Sequence, residues 1–173
     1  MDTVSEIMTK KVVAVHPEMP IESLILLLID EAIQAVPVID AQHRPIGMAS
    51  KSDLVFDDYE WAELRDETFW LQRVAKLPKG LETEGDLYLE ELLRSHTVKD
   101  IMSTEPLTVR PETPIVEAAQ LMGQKHIHGC PVVDANGVLV GIVTSIDVMK
   151  WVGRKFCVDA QAQRTTMTGR LQM

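Results

Sequence analysis

The chain has 173 residues, of which 46% are hydrophobic and 25% are charged, so it can bury a core and has the composition of a globular protein. Its net charge of −9 argues against a nucleic-acid-binding protein, and its longest apolar run, residues 24–29, is far too short to cross a membrane. With two cysteines and no secretory leader at its start, the chain is expected to be cytoplasmic and to lack a disulfide framework.

The first 54 residues predict a β-α-β-β-α order. Residues 12–15 form a short apolar run typical of a strand, and Pro17 ends it. A helix over about 20–34 starts at Pro20, because proline is tolerated in the first turn of a helix, where its missing N–H is not needed. Strands over 36–39 and 46–49 follow, and a second helix starts near Ser52.

The first helix is apolar on all sides over residues 24–29, so it has to be covered from several directions. One repeat of this size cannot provide that cover by itself. We therefore expect the two halves of the chain to pack together and to leave apolar surface for a second copy, which gives a homodimer. The alternative is that all of this surface is intramolecular core.

Residues 55–97 form a long connection with a net charge of −6, in which Trp61, Phe69, Trp70 and Tyr88 are concentrated. A structureless loop of this length is improbable, so helices are expected over 54–64, 68–77 and 86–94. The aromatic residues of this acidic insert either cover the core or form a surface for docking a partner.

The second half repeats the element order of the first. Strands are predicted over 107–109, 131–133 and 139–143, a helix over 114–125, and a second helix from Ile146. Residues 149–173 carry a net charge of +4. The tail from Arg154 onward is rich in Gln and Thr and nearly free of large apolar residues, so it is expected to be poorly ordered beyond about residue 158.

An internal duplication accounts for this symmetry. Residues 4–54 align without a gap on 98–148, at a constant offset of 94 positions, and 16 of the 51 positions are identical. Such an agreement is far above chance and indicates two copies of one structural unit.

The two copies share three motifs. They are Val-x-x-Ile-Met from Val4 and from Val98, a central Pro-Val-Ile/Val-Asp from Pro37 and from Pro131, and a Gly-h-x-Ser/Thr-x-x-Asp motif, with h apolar, from Gly47 and from Gly141. In this order, and present twice, the motifs resemble those of the CBS (cystathionine β-synthase-type) domain family. The resemblance implies an α/β (α+β) fold in which two repeats form a pseudo-twofold pair, a Bateman module. The corresponding domains are 1–54 and 98–152, separated by the helical insert 55–97 and followed by the tail 153–173.

The resemblance also implies a function. Many pairs of this family bind AMP, ADP, ATP or S-adenosylmethionine at two equivalent sites in the cleft between the repeats, and many form homodimers. The chain is accordingly expected to be a sensor without an obligatory cofactor, which modulates an unidentified target protein in trans. The alternative is a ligand-free structural module that docks a partner through the acidic insert.

The ligand-binding residues follow from the same motifs. A carboxylate such as Asp147 or Asp53 suits the vicinal hydroxyls of a ribose, and the start of the next helix favours phosphate. Gly47 and Gly141 would allow a close approach of the backbone. The same Ser/Thr-x-x-Asp pattern is also a plain helix N-cap signature. The candidate residues are Thr144, Ser145, Asp147, His128, Gly129 and Pro131 in the second copy, and Ser50, Asp53, Gln34 and Pro37 in the first.

His126 and His128 would share one face of a strand, which suggests either half of a metal site or, for His128, a phosphate contact. No third metal ligand is evident, and ordinary packing or a surface position is the remaining alternative. Arg110 and Lys51 are further candidates for phosphate contact, and Cys130 is expected to be a small buried apolar residue.

An enzyme is not expected. The chain contains no Gly-x-Ser-x-Gly, His-Glu-x-x-His or Gly-x-x-x-x-Gly-Lys-Ser/Thr motif. The Asp and Thr residues of the repeated motif also lack an adjacent base that would activate a nucleophile.

Overall fold

The computed structural model describes residues 2–54 and 95–168, with side chains described as far as Phe156. Short antiparallel sheets and helices alternate along these residues, which confirms the predicted α/β class. Within the described ranges no helix combines the length and the hydropathy that a transmembrane span requires. The elements are a 3-10 turn (Val4–Glu6), α1 (Ile21–Asp30), β1 (Ala35–Ile39), β2 (Pro45–Ser50), a 3-10 turn (Lys51–Leu54), α2 (Val98–Ile101), β3 (Ser103–Thr104), α3 (Ile115–Lys125), β4 (Gly129–Val133), β5 (Leu139–Thr144) and α4 (Ser145–Thr168).

The chain folds into two compact units whose boundaries differ from those of the two sequence repeats. The middle unit is Val13–Pro106, and the terminal unit combines Met1–Val12 with Leu107–Met173. The opening of each repeat is therefore packed in the unit that holds the rest of the other repeat. We call residues 2–9 and 96–103, which match each other in the alignment, the exchanged segments.

The exchanged segment 2–9 is held on the terminal unit at both of its ends. Ile115 N–H donates to the carbonyl of Asp2 over 3.1 Å, and Thr9 and Ile142 exchange two backbone hydrogen bonds of 2.9 and 3.0 Å. Between these anchors Val4 is fully buried. The core of this unit, beneath the β4–β5 hairpin, consists of Val4, Val109, Ala118, Met122, Cys130, Val132 and Val143.

A charged side chain also holds the start of this segment. The Asp2 carboxylate accepts hydrogen bonds of 2.8 Å from the indole N–H of Trp151 and from the Lys155 ammonium, both on α4. Lys155 Nζ lies 5.0 Å from the centre of the Trp151 ring, within the range of a cation–π contact. The ammonium, and after it the indole N–H, hold the pKa of the Asp2 carboxyl below its ordinary value of 3.8.

The exchanged segment 96–103 has the same role in the middle unit. Ile21 N–H donates to the carbonyl of His96 over 3.1 Å. At the other end β3 adds to the β1–β2 hairpin, with Ser103 opposite Met48. The core of this unit consists of Val15, Ile21, Leu24, Ile25, Leu28, Val36, Val38, Ala49, Leu54 and Val98.

The first predicted strand of each repeat is reduced to a single bridge. Val15 and Val109 each form one parallel bridge, to Val38 and Val132 respectively, and residues 12–14 and 107–108 before them belong to no strand. The prediction of full strands over 12–15 and 107–109 is therefore wrong. These segments form no longer strands because a turn begins at Pro17 and at Pro111, two residues after each bridge, and leads the backbone away from the sheet.

Helix α1 ends at Asp30, earlier than the predicted residue 34. Ala32 adopts a left-handed φ of 51°, and the N–H groups of Ala32 and Ile33 bond to the carbonyls of Ile29 and Leu28. This is the Schellman pattern, which closes a helix by satisfying its last carbonyls. Helix α3 ends in the same way, with His126 at a φ of 55°.

Two further predictions concern the ends of the described regions. The backbone of α4 is helical to Thr168, and Gln161, Ala162 and Arg164 are residue types that favour a helix. The poor order expected beyond about residue 158 stays a prediction. The predicted helices of the acidic insert fall on residues 55–94, which lie outside the described residues.

Candidate functional site

The Thr144–Asp147 pair lies where β5 passes into α4. The N–H and the hydroxyl of Thr144 both donate to Oδ2 of Asp147, over 2.9 and 2.6 Å. In return, Asp147 N–H approaches Thr144 Oγ1 at 3.3 Å. This reciprocal arrangement is a capping box, in which Thr144 is the N-cap and Asp147 the third residue of the helix. The N-cap interpretation of the motif is therefore correct for this copy.

The Ser50–Asp53 pair repeats this geometry at the end of β2. Ser50 N–H and Ser50 Oγ donate to Oδ2 of Asp53, over 2.8 and 2.6 Å. The Ser50 hydroxyl also lies 2.8 Å from the hydroxyl of Ser52. The residues that follow, Lys51–Leu54, form a 3-10 turn at the position where the second copy begins helix α4. The two copies thus share the carboxylate geometry.

In both pairs, capping occupies only one oxygen of the carboxylate. Within residues 2–54 and 95–168 no hydrogen bond reaches Oδ1 of Asp147 or Oδ1 of Asp53, and both residues are only half-buried. The cap fixes the carboxylate by two hydrogen bonds and leaves its second oxygen able to accept a bond from a ligand. Capping and ligand binding are therefore compatible roles for the same side chain.

The structure brings most of the second-copy candidates together. The carbonyl of His128 accepts a 2.9 Å hydrogen bond from Ser145 N–H, and Gly129 pairs with Thr144 across the β4–β5 hairpin. The side chain of His128 is exposed. Pro131 lies two residues farther along β4 and is buried.

The first-copy candidates have equivalent positions. The carbonyl of Gln34 accepts a 2.9 Å hydrogen bond from Lys51 N–H, and the side chain of Gln34 is exposed. Pro37 is buried, and its carbonyl accepts a hydrogen bond from Val15 N–H. The duplication predicted from sequence therefore extends to the backbone hydrogen bonds around each Ser/Thr–Asp pair.

The proposed histidine pair is not on a strand. His126 is the left-handed residue that ends α3, and β4 begins only at Gly129, so His126 and His128 do not share a strand face. Among the described residues there is no group of three His, Cys, Asp or Glu side chains that could hold a metal ion. The half-site interpretation is therefore wrong, because the helix ends with a turn rather than leading directly into a strand.

The structure also places two other residues singled out in the sequence, Arg110 and Cys130. The Arg110 guanidinium donates a 2.7 Å hydrogen bond to the carbonyl of Asp134, just after β4, and this bond stabilises the β4–β5 turn. Cys130 is fully buried, and burial raises the pKa of its thiol to about 11. The expectation that Cys130 is a small buried apolar residue is therefore confirmed.

Gly47 and Gly141 permit a close approach, although by protein rather than by ligand. A Cβ at Gly141 would lie 2.6 Å from Sδ of Met8, and a Cβ at Gly47 would lie 2.7 Å from the carbonyl oxygen of Ser103 and 2.8 Å from Sδ of Met102. The exchanged segment 2–9 therefore packs directly against Gly141, and the exchanged segment 96–103 packs directly against Gly47. Sequence reasoning had not assigned a role to the two methionines, although their repetition in the Val-x-x-Ile-Met motif was the available signal.

Comparison with known proteins agrees with this geometry. The model of the CBS domain matches residues 4–57 and 98–154. The CBS domain-containing protein CBSX1 of Arabidopsis thaliana chloroplasts is 31% identical over 150 residues, which cover 86% of this chain, and the chain spans 63% of the length of CBSX1.

Two solved structures resemble the chain and contain nucleotides. CBSX2 in complex with AMP is 25% identical, with a TM-score of 0.63, and covers 89% of this chain and 98% of its own. The cytosolic domain of the Mg²⁺ channel MgtE in complex with ATP is 28% identical, with a TM-score of 0.60, and covers 86% of this chain and 48% of its own. Since the family model matches both copies, the chain belongs to the CBS domain family as a tandem pair of CBS domains.

Proposed function

We propose that this protein is a regulatory module that binds an adenosine-containing ligand at its Ser/Thr–Asp pairs and alters a target protein in trans, without catalysing a reaction. The supporting observation is the state of the Asp147 carboxylate. Its Oδ2 atom is held by Thr144, and Oδ1 has no hydrogen-bond partner among the described residues. A fixed, half-buried carboxylate with a free oxygen is suited to the two hydroxyls of a ribose.

The start of α4 adds a second element of recognition. Helix α4 is 24 residues long, so its start carries the positive end of a helix dipole. This positive end favours a negatively charged group such as a phosphate. This combination of a diol acceptor and an anion-favouring helix start is the chemistry that AMP, ADP and ATP require, and related structures contain AMP and ATP.

The first copy is proposed as a second site. Asp53 has the same fixed carboxylate, because the N–H and the hydroxyl of Ser50 hold its Oδ2 atom as Thr144 holds that of Asp147. AMP, ADP, ATP and S-adenosylmethionine are therefore the candidate ligands for this site as well.

The test is calorimetric titration with AMP, ADP, ATP and S-adenosylmethionine on the wild type and on Asp147→Asn. The Asn carbonyl oxygen can still accept both hydrogen bonds from Thr144, so the cap is kept, while an NH₂ group replaces the free acceptor Oδ1. Loss of a charge-assisted hydrogen bond costs about 1.5–3 kcal/mol, so affinity should fall by about ten- to one-hundredfold. Asp53→Asn applies the same change to the first copy.

A charge-matched control is available in the second copy. Asp134 accepts backbone hydrogen bonds of 2.8 and 2.9 Å from Asn136 and Val138 in the β4–β5 turn. Asp134→Asn therefore removes one negative charge from the same unit without touching the pair, and binding should be unchanged. The proposal is refuted if none of the four compounds binds the wild type, or if binding survives in the double variant Asp147→Asn, Asp53→Asn.

A further inference from the structure

The Asp2 carboxylate contacts α4 close to the proposed ligand site. Its Oδ2 atom accepts hydrogen bonds of 2.8 Å from the indole N–H of Trp151 and from the Lys155 ammonium. Trp151 follows Asp147 by one helical turn and Lys155 follows it by two, so the three side chains lie along one side of the helix. A carboxylate of segment 2–9 therefore holds α4 one turn after the residue that would contact the ligand.

The other end of the segment holds the strand that leads into the site. Thr9 and Ile142 exchange backbone hydrogen bonds of 2.9 and 3.0 Å, and Ile142 lies on β5 two residues before Thr144. Segment 2–9 thus contacts both elements that meet at the capped pair, β5 through its last residue and α4 through its first.

Between these two contacts the segment is fixed on the start of α3. Ile115 N–H donates to the carbonyl of Asp2 over 3.1 Å, and Val4 N–H donates to the carbonyl of Thr113 over 2.9 Å. The Val4 side chain is fully buried in the core of the terminal unit. Because the backbone on either side of Asp2 is held in this way, its carboxylate is a fixed point from which α4 can be held in place.

We propose that segment 2–9 positions the Thr144–Asp147 pair for ligand binding and that Asp2 is the positioning residue. The cap that holds Oδ2 of Asp147 spans the junction of β5 and α4, so the free Oδ1 keeps its place only while the first turn of α4 stays at the end of β5. Asp2 acts on this junction through Trp151 and Lys155. Its consequence for ligand binding rests on the proposed function, whereas the positioning itself is a property of the chain without ligand.

The Asp2 contact belongs to one copy of the duplication. At the constant offset of 94 positions, the residue that corresponds to Asp2 is His96, so no carboxylate is available at this position of the middle unit. A change at Asp2 should therefore act on the Asp147 site and leave the Asp53 site as it is. The two caps thus provide a reporter and an internal control within one molecule.

Amide hydrogen exchange, followed by NMR on the full chain, tests the positioning without any ligand. Thr144 N–H bonds to the capping carboxylate, so its exchange reports opening of the cap. Ser50 N–H reports the equivalent cap of the middle unit, and Val133 N–H reports the core of the terminal unit. Asp2→Ala should accelerate the exchange of Thr144 about threefold to tenfold, as expected for the loss of charge-assisted hydrogen bonds near the surface. The two control amides should change by less than about twofold.

Further variants separate the contact from a general loss of stability. Asp2→Asn keeps an acceptor oxygen for the indole N–H and removes the charge, so its effect on Thr144 should be intermediate. Trp151→Phe with Lys155→Met removes both donors, and in that background Asp2→Ala should have no further effect. Glu112→Gln removes a negative charge from an exposed position of the same unit and should leave the exchange of Thr144 unchanged.

Calorimetric titration with AMP tests the consequence for ligand binding. In the Asp53→Asn background, where the Asp147 site is measured, Asp2→Ala should raise the Kd of AMP by a similar factor of about three to ten. In the Asp147→Asn background the same change should leave the Kd unaltered. A residue that only stabilises the fold would not change the Kd of protein that is fully folded, which circular dichroism of each variant establishes.

The positioning role is overturned if Asp2→Ala accelerates Thr144 and Val133 by the same factor, or if it acts equally with and without the two donors on α4. It is also overturned if AMP binds at the Asp147 site and its Kd does not respond to Asp2→Ala. If none of the adenosine compounds binds the wild type, the proposed function fails, and the exchange of Thr144 alone decides whether Asp2 positions the cap.

Discussion

Replacing Gly47 with alanine tests whether the exchanged segments are packed as tightly as the structure indicates. The new Cβ would lie 2.7 Å from the carbonyl oxygen of Ser103 and 2.8 Å from Sδ of Met102. The thioether of Met102 can rotate away, whereas the oxygen of Ser103 belongs to β3, which is paired with β2, and Ser103 Oγ donates to the carbonyl of Met48 over 3.2 Å. Relief of the clash therefore has to displace a paired strand.

The magnitude follows from the cost of overpacking a well-packed core, which is about 1–3 kcal/mol. Because the obstacle at Gly47 is backbone, we expect Gly47→Ala to lie near the upper end of that range. At Gly141 the nearest atom is Sδ of Met8, at 2.6 Å, and the nearest backbone atom is the oxygen of Thr9, at 3.3 Å. A flexible side chain absorbs most of this clash, so Gly141→Ala should cost about 1 kcal/mol.

The assay is urea or thermal unfolding followed by far-UV circular dichroism at a fixed protein concentration. For a chain of this length about 1 kcal/mol corresponds to a change in Tm of roughly 2–4 °C. Gly123→Ala is the control, since a Cβ at this position of α3 meets nothing within 4 Å. It should stabilise the protein by about 0.5–1 kcal/mol, because alanine favours a helix more than glycine does.

A double-mutant cycle identifies the clashing partner. Adding Met8→Ala to Gly141→Ala removes the thioether and should abolish the extra cost of the alanine at 141. Adding Met102→Ala to Gly47→Ala should recover only part of the loss, because the oxygen of Ser103 remains. The reasoning is refuted if Gly47→Ala unfolds like the wild type, or if Met8→Ala does not relieve Gly141→Ala.

Two further predictions concern how segment 2–9 is held. Val4→Ala removes two buried methyl groups and leaves a cavity, so it should lower the free energy of unfolding in denaturant by about 2–3 kcal/mol. Val98→Ala should lower it by a similar amount through the core of the middle unit. A loss below about 0.5 kcal/mol would show that the segment is not part of the core. Asp2→Asn should destabilise the protein at neutral pH by removing the ion pair with Lys155. Since the pKa of Asp2 is lowered on folding, this contribution is present above its ordinary value of 3.8 and disappears as the pH falls through the folded pKa. The difference from wild type in urea unfolding should therefore shrink as the pH falls below 3.8 towards the folded pKa of Asp2, and a difference that stays constant with pH would contradict it.

Much of the site was predictable because its determinants are local. Thr144 and Asp147 are three residues apart, a spacing that places a side-chain oxygen beside a helix N-terminus whatever the rest of the chain does. The duplication then predicted the Ser50–Asp53 pair, and the structure gives it the same two hydrogen bonds. The hairpins and the helices that follow Pro20 and Pro114 likewise depend on turn residues and periodicity, which are short-range properties.

The sequence by itself determined that the chain is a duplicated α/β module of the CBS domain family, and which carboxylates lie at the starts of its helical turns. Only the tertiary structure decided which unit each opening segment joins. Val4 and Val98 begin the same Val-x-x-Ile-Met motif, so the local sequence pattern cannot distinguish the exchanged arrangement from the unexchanged one. The close packing at Gly47 and Gly141 and the hydrogen bond between Asp2 and Trp151 join residues that are far apart in the chain. These contacts stabilise the protein only after folding has brought the residues together, so they could not be predicted from local sequence.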